Sequence, residues 1–187
     1  MLQTESSIMV LQAIIYVRGS LQILDQLELP HREIYQTVST VEDAWHAIRE
    51  MRVRGAPAIA IVAALALAIE LTNRKSPEFE NGVREDAERT EDIIVKKLKY
   101  LVTSRPTAVN LADGAKKLED VVRSAGNVSG STRSGVEEAY ITAAELMLIN
   151  DVLDNKNIGR FGASWILDKS GKAGGEKVSV LTHCNTG

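Results

Sequence analysis

The stretch Val53–Leu71, VRGAPAIAIVAALALAIEL, decides how the rest of the chain folds. From Ala56 to Ile69 it is an unbroken apolar run, about 14 residues long and so short of the roughly 20 needed to cross a bilayer. Pro57 suits the first turn of a helix, where the N–H that proline lacks would have no intrahelical partner anyway. A helix over Ala58–Leu71 is apolar on nearly every side and must be enclosed by other elements. The segment therefore predicts a helical body built around one central helix.

Working outward, the upstream neighbour is a second helix. Ser39 with Glu42 fits a capping box, and Val41, Ala44, Trp45, Ile48 and Met51 follow at helical spacing, ending near Arg52. Before it, Gln12–Val17 and Leu21–Leu24 alternate as strands joined by Arg18-Gly19-Ser20, where Gly19 supplies the positive φ of a hairpin turn. Glu33–Val38, after the Leu29-Pro30 break, completes a small antiparallel sheet. Downstream, Asn73–Asn81 is a polar loop, Arg84–Val102 an amphipathic helix, and Pro106 the first turn of a helix running to about Arg123. Ser124–Gly135 reads as a loop, Val136–Leu153 as a long helix, and Ile158, Phe161 and Trp165 as one more. Lys169–Gly175 is a glycine-rich break, and Val178–Leu181 a buried strand. The fold class is α+β: an N-terminal small antiparallel sheet (1–38), a helical domain (39–155), and the opening of a further unit (156–187).

Composition narrows the function. A chain of 187 residues holds one domain, or one and part of another, and buries roughly 70% of its unfolded surface. Two Phe, two Trp, four Tyr and a net charge of -3 argue against nucleic acid as a partner, since base stacking and phosphate binding need aromatic platforms and clustered cations. The N-terminus, MLQTESSIMV, has no basic stretch or long apolar core of a secretory signal, and the single cysteine excludes an internal disulfide. Both point to a reducing cytosolic or nuclear compartment, with no membrane partner.

Three short segments carry chemistry. In VRGAPAI, Arg54 and Gly55 directly precede a proline-started helix whose first N–H groups are free to meet an anion. Gly55 permits close backbone approach and Arg54 can fork onto a phosphate; alternatively, Arg54 is a surface cation and Gly55 a turn glycine. SRPTAVN repeats the device with Arg105 before Pro106, and if the two entrances converge they form a pocket for a sugar phosphate. LTHCNTG sets Cys184 just past the end of a strand, the edge where ligands bind in open α/β sheets. There the thiol could be acid, base or nucleophile, or simply a small buried hydrophobe. His183 is not its partner, because adjacent residues of an extended segment point to opposite faces. With His31 and His46 far off in sequence, no zinc-ligand spacing emerges.

YVRGSLQILDQ (16–26), AWHAIREMRVRGAPAI (44–59), SRPTAVNL (104–111) and VLTHCNTG (180–187) together resemble the methylthioribose-1-phosphate isomerase family, in matching order over nearly the whole chain. The resemblance implies interconversion of 5-methylthioribose 1-phosphate and 5-methylthioribulose 1-phosphate in methionine salvage, with neither metal nor organic cofactor. It implies that Arg54, Gly55 and Ala56 contact substrate, that Arg105 holds the phosphate, and that Cys184 is the active-site cysteine. Full-length members are expected to be homodimers. Ile15 departs from the family, which often has a basic residue at that point of the hairpin.

The family continues well beyond HCNTG through a Rossmann-like domain that carries a catalytic Asp. By the same resemblance, residues 156–187 are the start of that domain, truncated, and this chain is expected to have little or no activity. A rival expectation is a non-catalytic module like the regulatory subunits of the translation initiation exchange factor; a cysteine within HCNTG and the intact RGAPAI favour the isomerase. A ribose-1,5-bisphosphate isomerase would share the chemistry and differ in the pocket for the C5 substituent.

Overall fold

The computed structural model describes residues 11–73, 87–171 and 177–181. Its first element is a three-stranded antiparallel sheet in the order β1 (Ile14–Val17), β2 (Ser20–Leu24), β3 (Tyr35–Val38). Val17 pairs with Ser20 across a turn in which Gly19 has φ +90°, and Leu21 pairs with Val38. The expected small sheet is thus present. Alternation sends Leu21, Ile23 and Val38 into the core.

Helix α1 (Val41–Arg49) opens on a capping box made by Thr40 and Asp43, one residue later than the Ser39/Glu42 pair that the sequence suggested. Both pairs have the required spacing. Thr40 wins because its backbone is extended, its hydroxyl accepts from the Asp43 N–H at 3.1 Å, and the Asp43 carboxylate accepts from the N–H groups of Thr40 and Ser39. The helix closes at Arg49, three residues short of the expected end, where Met51 turns into the left-handed region at φ 62°.

Helix α2 (Ala56–Asn73) is the central helix, with every residue from Ile59 to Leu71 buried. Around it lie α1, α3 (Ala87–Thr103), α4 (Val109–Gly126) and α5 (Arg133–Ser170). Each fully buried Leu of α2 contributes about 1.5–3 kcal/mol relative to exposure. One charge sits within this apolar helix. Glu70, 4% exposed, accepts from the N–H of Val41 at 2.7 Å and pairs with Lys97 at 2.7 Å, so it closes the N-terminus of α1.

Three expectations are corrected. Pro106 is not in the first turn of α4: Arg105–Ala108 form a tight turn, closed by the Ala108 N–H donating to the Arg105 carbonyl at 2.9 Å, and the helix begins at Val109. The two helices expected over Val136–Leu153 and around Phe161 are one helix, α5, which starts at a Thr132 cap within the expected loop and ends at Gly171 in the left-handed conformation. The polar residues Asp154–Asn157 between the two expected helices continue the helix, because polar residues on a solvated face cost it only tenths of a kcal/mol each. Lastly, residues 177–181 form no strand, and Leu181 is 96% exposed, because no neighbouring strand among the described residues offers its backbone a ladder.

Candidate functional site

The VRGAPAI segment forms the turn between α1 and α2. Its carbonyl at Gly55 accepts the first helical bond, from the Ile59 N–H at 3.0 Å, so Gly55 is the residue from which α2 starts. Gly55 has φ +95°, a region that side-chain-bearing residues rarely enter. Gly55 and Ala56 are exposed; Pro57 has no N–H and the Ile59 N–H is taken by Gly55, so the first-turn donors left without an intrahelical acceptor are the N–H groups of Ala56 and Ala58. The Nε of Arg54 donates to the Met51 carbonyl at 3.2 Å. That bond fixes the base of the guanidinium and leaves both terminal nitrogens without a carboxylate among the described residues.

This turn is held from beneath by a buried carboxylate. Asp25, at the end of β2 and 1% exposed, accepts from Arg52 Nη1 at 2.5 Å, from Gln36 Nε2 at 2.7 Å and from the Leu27 N–H at 3.0 Å. The Gln26 N–H donates to the Arg52 carbonyl at 2.9 Å, and the Arg52 N–H to the Ala47 carbonyl at 2.9 Å. Arg52 also donates to Glu50 at 2.7 Å; Glu50 and then Asp25 raise its pKa further above its ordinary value.

Arg105 lies in the α3–α4 turn, half-buried and with no hydrogen bond to its guanidinium among the described residues. Ser104, buried beside it, donates its hydroxyl back to the Leu101 carbonyl at 2.6 Å, and so caps α3 instead of facing a ligand. Helix α1 serves both arginine turns. Its C-terminus leads into Met51–Gly55, and its Trp45 Nε1 donates to Thr103 Oγ1 at 2.9 Å, two residues before Arg105. Trp45 stacks on Tyr100, whose hydroxyl donates to Glu42 at 2.6 Å; that carboxylate pushes the Tyr100 pKa up to about 12.

The first turns of α2 and α4 come together, but not as the arginine-lined pocket that converging entrances would make. Pro57 of α2 and Asn110 of α4 line one cavity of about 440 Å³, with α5 as its third wall. The crossing is close because Gly114 is small: a Cβ there would lie 3.4 Å from the Ala60 Cβ and 3.2 Å from Met147 Cε. Neither Arg54 nor Arg105 lines this cavity. Its charged rim is Asp113, Asp151, Asp154 and Lys117, with Lys117 paired to Asp113 at 2.8 Å. An excess of carboxylates repels a phosphate, so the cavity itself does not suit an anion. Cys184 and His183 lie outside the described residues.

Sequence reading did not assign a role to Asp25 or Arg52, although both stand in segments that carry the family resemblance. A buried aspartate at the end of an apolar strand was the available signal, and its partner is 27 residues away.

Comparison with known proteins gives a consistent picture. The Initiation factor 2 subunit family matches residues 52–187. A methylthioribose-1-phosphate isomerase of Pyrenophora tritici-repentis is 58% identical over 96% of this chain and 44% of its own length. Its counterpart in Aspergillus terreus is 55% identical over 96% of this chain and 46% of its own length. The chain thus spans less than half the length of these curated relatives. Among solved structures, 5-methylthioribose 1-phosphate isomerase of Pyrococcus horikoshii OT3 superposes with a TM-score of 0.71 at 26% identity, covering 83% of this chain and 41% of that one. The translation initiation factor eIF-2B subunit delta of A. fulgidus gives 0.68 at 28% identity, over 83% and 42%.

Proposed function

This chain belongs to the Initiation factor 2 subunit family, and we propose that it carries the phosphate-gripping part of an isomerase that interconverts 5-methylthioribose 1-phosphate and 5-methylthioribulose 1-phosphate. The observation that carries the reading is the Gly55 turn. It combines an exposed helix start, a positive-φ glycine and an arginine without a carboxylate partner among the described residues, in a chain 58% identical to an isomerase of that name. The substrate's phosphate would accept from the first N–H groups of α2 and from Arg54, a charge-assisted contact of the strong class. Arg105 would supply a second cation from the α3–α4 turn. Cys184 would assist hydrogen movement between C1 and C2. We place the reaction in the cytoplasm or nucleus, and the whole enzyme as a homodimer.

A second reading follows from the likeness to the eIF-2B delta subunit: a module that binds partners and catalyses nothing. One experiment separates the two. Product formation from 5-methylthioribose 1-phosphate is followed for the 187-residue chain and for Cys184→Ser, alongside binding of the same compound to the chain and to Arg54→Ala. Turnover that the serine variant loses supports an isomerase complete in this chain. Binding without turnover, weakened at least about tenfold by Arg54→Ala, supports the gripping part alone; losing a hydrogen bond to a charged group costs about 1.5–3 kcal/mol. Absence of both favours the non-catalytic module.

A further inference from the structure

We propose that Asp25 is a positioning residue for the phosphate grip, acting through Arg52 on the turn that carries Arg54. The inference rests on the reading of Arg54 given above and adds the element that aims it. Four linked contacts carry it. The Asp25 carboxylate holds Arg52 Nη1 at 2.5 Å. The Arg52 backbone is held on both sides, by Gln26 and by Ala47. Next to it, Met51 sits at φ 62°, a conformation that a side-chain-bearing residue keeps only where its surroundings impose it. The Met51 carbonyl, turned by that conformation, then accepts the Nε of Arg54 at 3.2 Å. Asp25 is thus connected to the guanidinium by an unbroken sequence of bonds, and at 1% exposed it presents no surface of its own to a bound molecule.

A core of Leu and Ile has no need for a carboxylate 1% exposed. Burying one costs several kcal/mol unless its bonds are complete, and here they are: Arg52, Gln36 and the Leu27 N–H. The charge is spent on fixing one turn, so Asn, which has the same shape without the charge, should release the turn and leave the packing in place.

The test uses Asp25→Asn, Arg52→Gln and the double variant, with Arg54→Ala as the control for the grip and Tyr140→Phe as a control that loses a distant buried bond. Binding of 5-methylthioribose 1-phosphate is measured calorimetrically well below each melting temperature, and amide exchange is followed at Gln26, Arg52 and Ile59. Each single variant is expected to weaken binding by on the order of tenfold, and the double variant no further, because the pair acts as a unit. Exchange at the three amides should rise by a similar factor with Leu65–Ile69 unchanged, and Tyr140→Phe should bind as the parent does. If the parent binds, Arg54→Ala does not, and Asp25→Asn binds like the parent, the inference is overturned. If the parent itself fails to bind, the functional reading falls and takes the positioning role with it; raised exchange at Gln26, Arg52 and Ile59 would then show only that Asp25 fixes the turn, and unchanged rates would overturn that as well.

Discussion

Glu145 of α5 accepts from Arg18 Nη2 at 2.7 Å, from Arg18 Nε at 3.0 Å and from the Tyr16 hydroxyl at 2.8 Å, and so ties the hairpin to the longest helix. Arg18 beside it holds the Glu145 carboxyl below its ordinary value, with the Tyr16 bond adding to the effect. A carboxyl whose folded pKa is depressed binds fewer protons folded than unfolded, so its contribution is present above the unfolded value near about 4.3 and is lost as pH falls through the folded one. Arg18 is 44% exposed, and solvent screening keeps the contribution to about 1 kcal/mol or less. Urea midpoints of the parent and of Glu145→Gln, compared from neutral pH downward, should therefore differ by a constant amount above about pH 5 and draw together as pH falls through the unfolded and then the depressed folded value. A gap that stays open in acid would mean that the carboxylate's charge is not what joins hairpin and helix. At the same scale, the helix start beside Arg54 and Gly55 was legible because its signal is local: a proline in the first turn announces the N-terminus. The Asp25–Arg52 pair was not, because a strand end and a turn 27 residues apart carry no shared pattern until the chain folds.

Among the elements, α5 shows where periodicity outruns punctuation. Val136, Tyr140, Ala144 and Met147 face the body, and the same steps of three and four residues continue through Asp151 and Asp154 to Ile158, Phe161 and Trp165. The stripe is continuous although the side chains on it change from apolar to acidic and back. Gly159 and Gly162 lie within this helix, and a Cβ at either position would meet nothing within 4 Å. Glycine in a helix interior costs about 1 kcal/mol relative to alanine, so Gly159→Ala and Gly162→Ala should each strengthen the distal helix by about 0.5–1 kcal/mol. Circular dichroism at 222 nm should show a shallower loss of signal ahead of the main unfolding transition, with that transition itself unmoved. A drop in helicity in either variant would indicate that something approaches the backbone there and needs the space. The hairpin, by contrast, was readable almost to the residue, because a two-residue turn fixes its register and Gly19 fixes the turn. The start of α4 was misread for the opposite reason: Pro106 fits a helix start and a turn equally well, and the choice fell to the bond closing Arg105–Ala108.

At the scale of the whole molecule, the chain divides its stability unevenly. Sheet, α1 to α4 and the first turns of α5 share one core, in which Tyr140 is fully buried and donates to the Ala64 carbonyl of α2 at 3.1 Å. Beyond Leu148 the helix leaves that core: Ile158, Phe161 and Trp165 are 70%, 62% and 63% exposed. An isolated helix of this length is marginal in water, because nucleation is costly and most helical stability in proteins comes from packing an apolar face. Amide exchange along α5 should therefore fall into two regimes. Amides near Tyr140 and Ala144 should open only with global unfolding, and those from about Ile158 to Ser170 should exchange orders of magnitude faster, close to the helix–coil limit. Trp165→Ala should leave the unfolding midpoint within about 0.5 kcal/mol, whereas Leu67→Ala in the centre of α2 should cost about 2–5 kcal/mol. Uniform protection along all of α5, or a large cost at Trp165, would sink this division, because either result requires the distal stripe to be covered in solution. A gradient would place the cooperative unit in the body that carries Arg54 and Arg105, so the grip proposed for those residues would rest on the stable part of the chain.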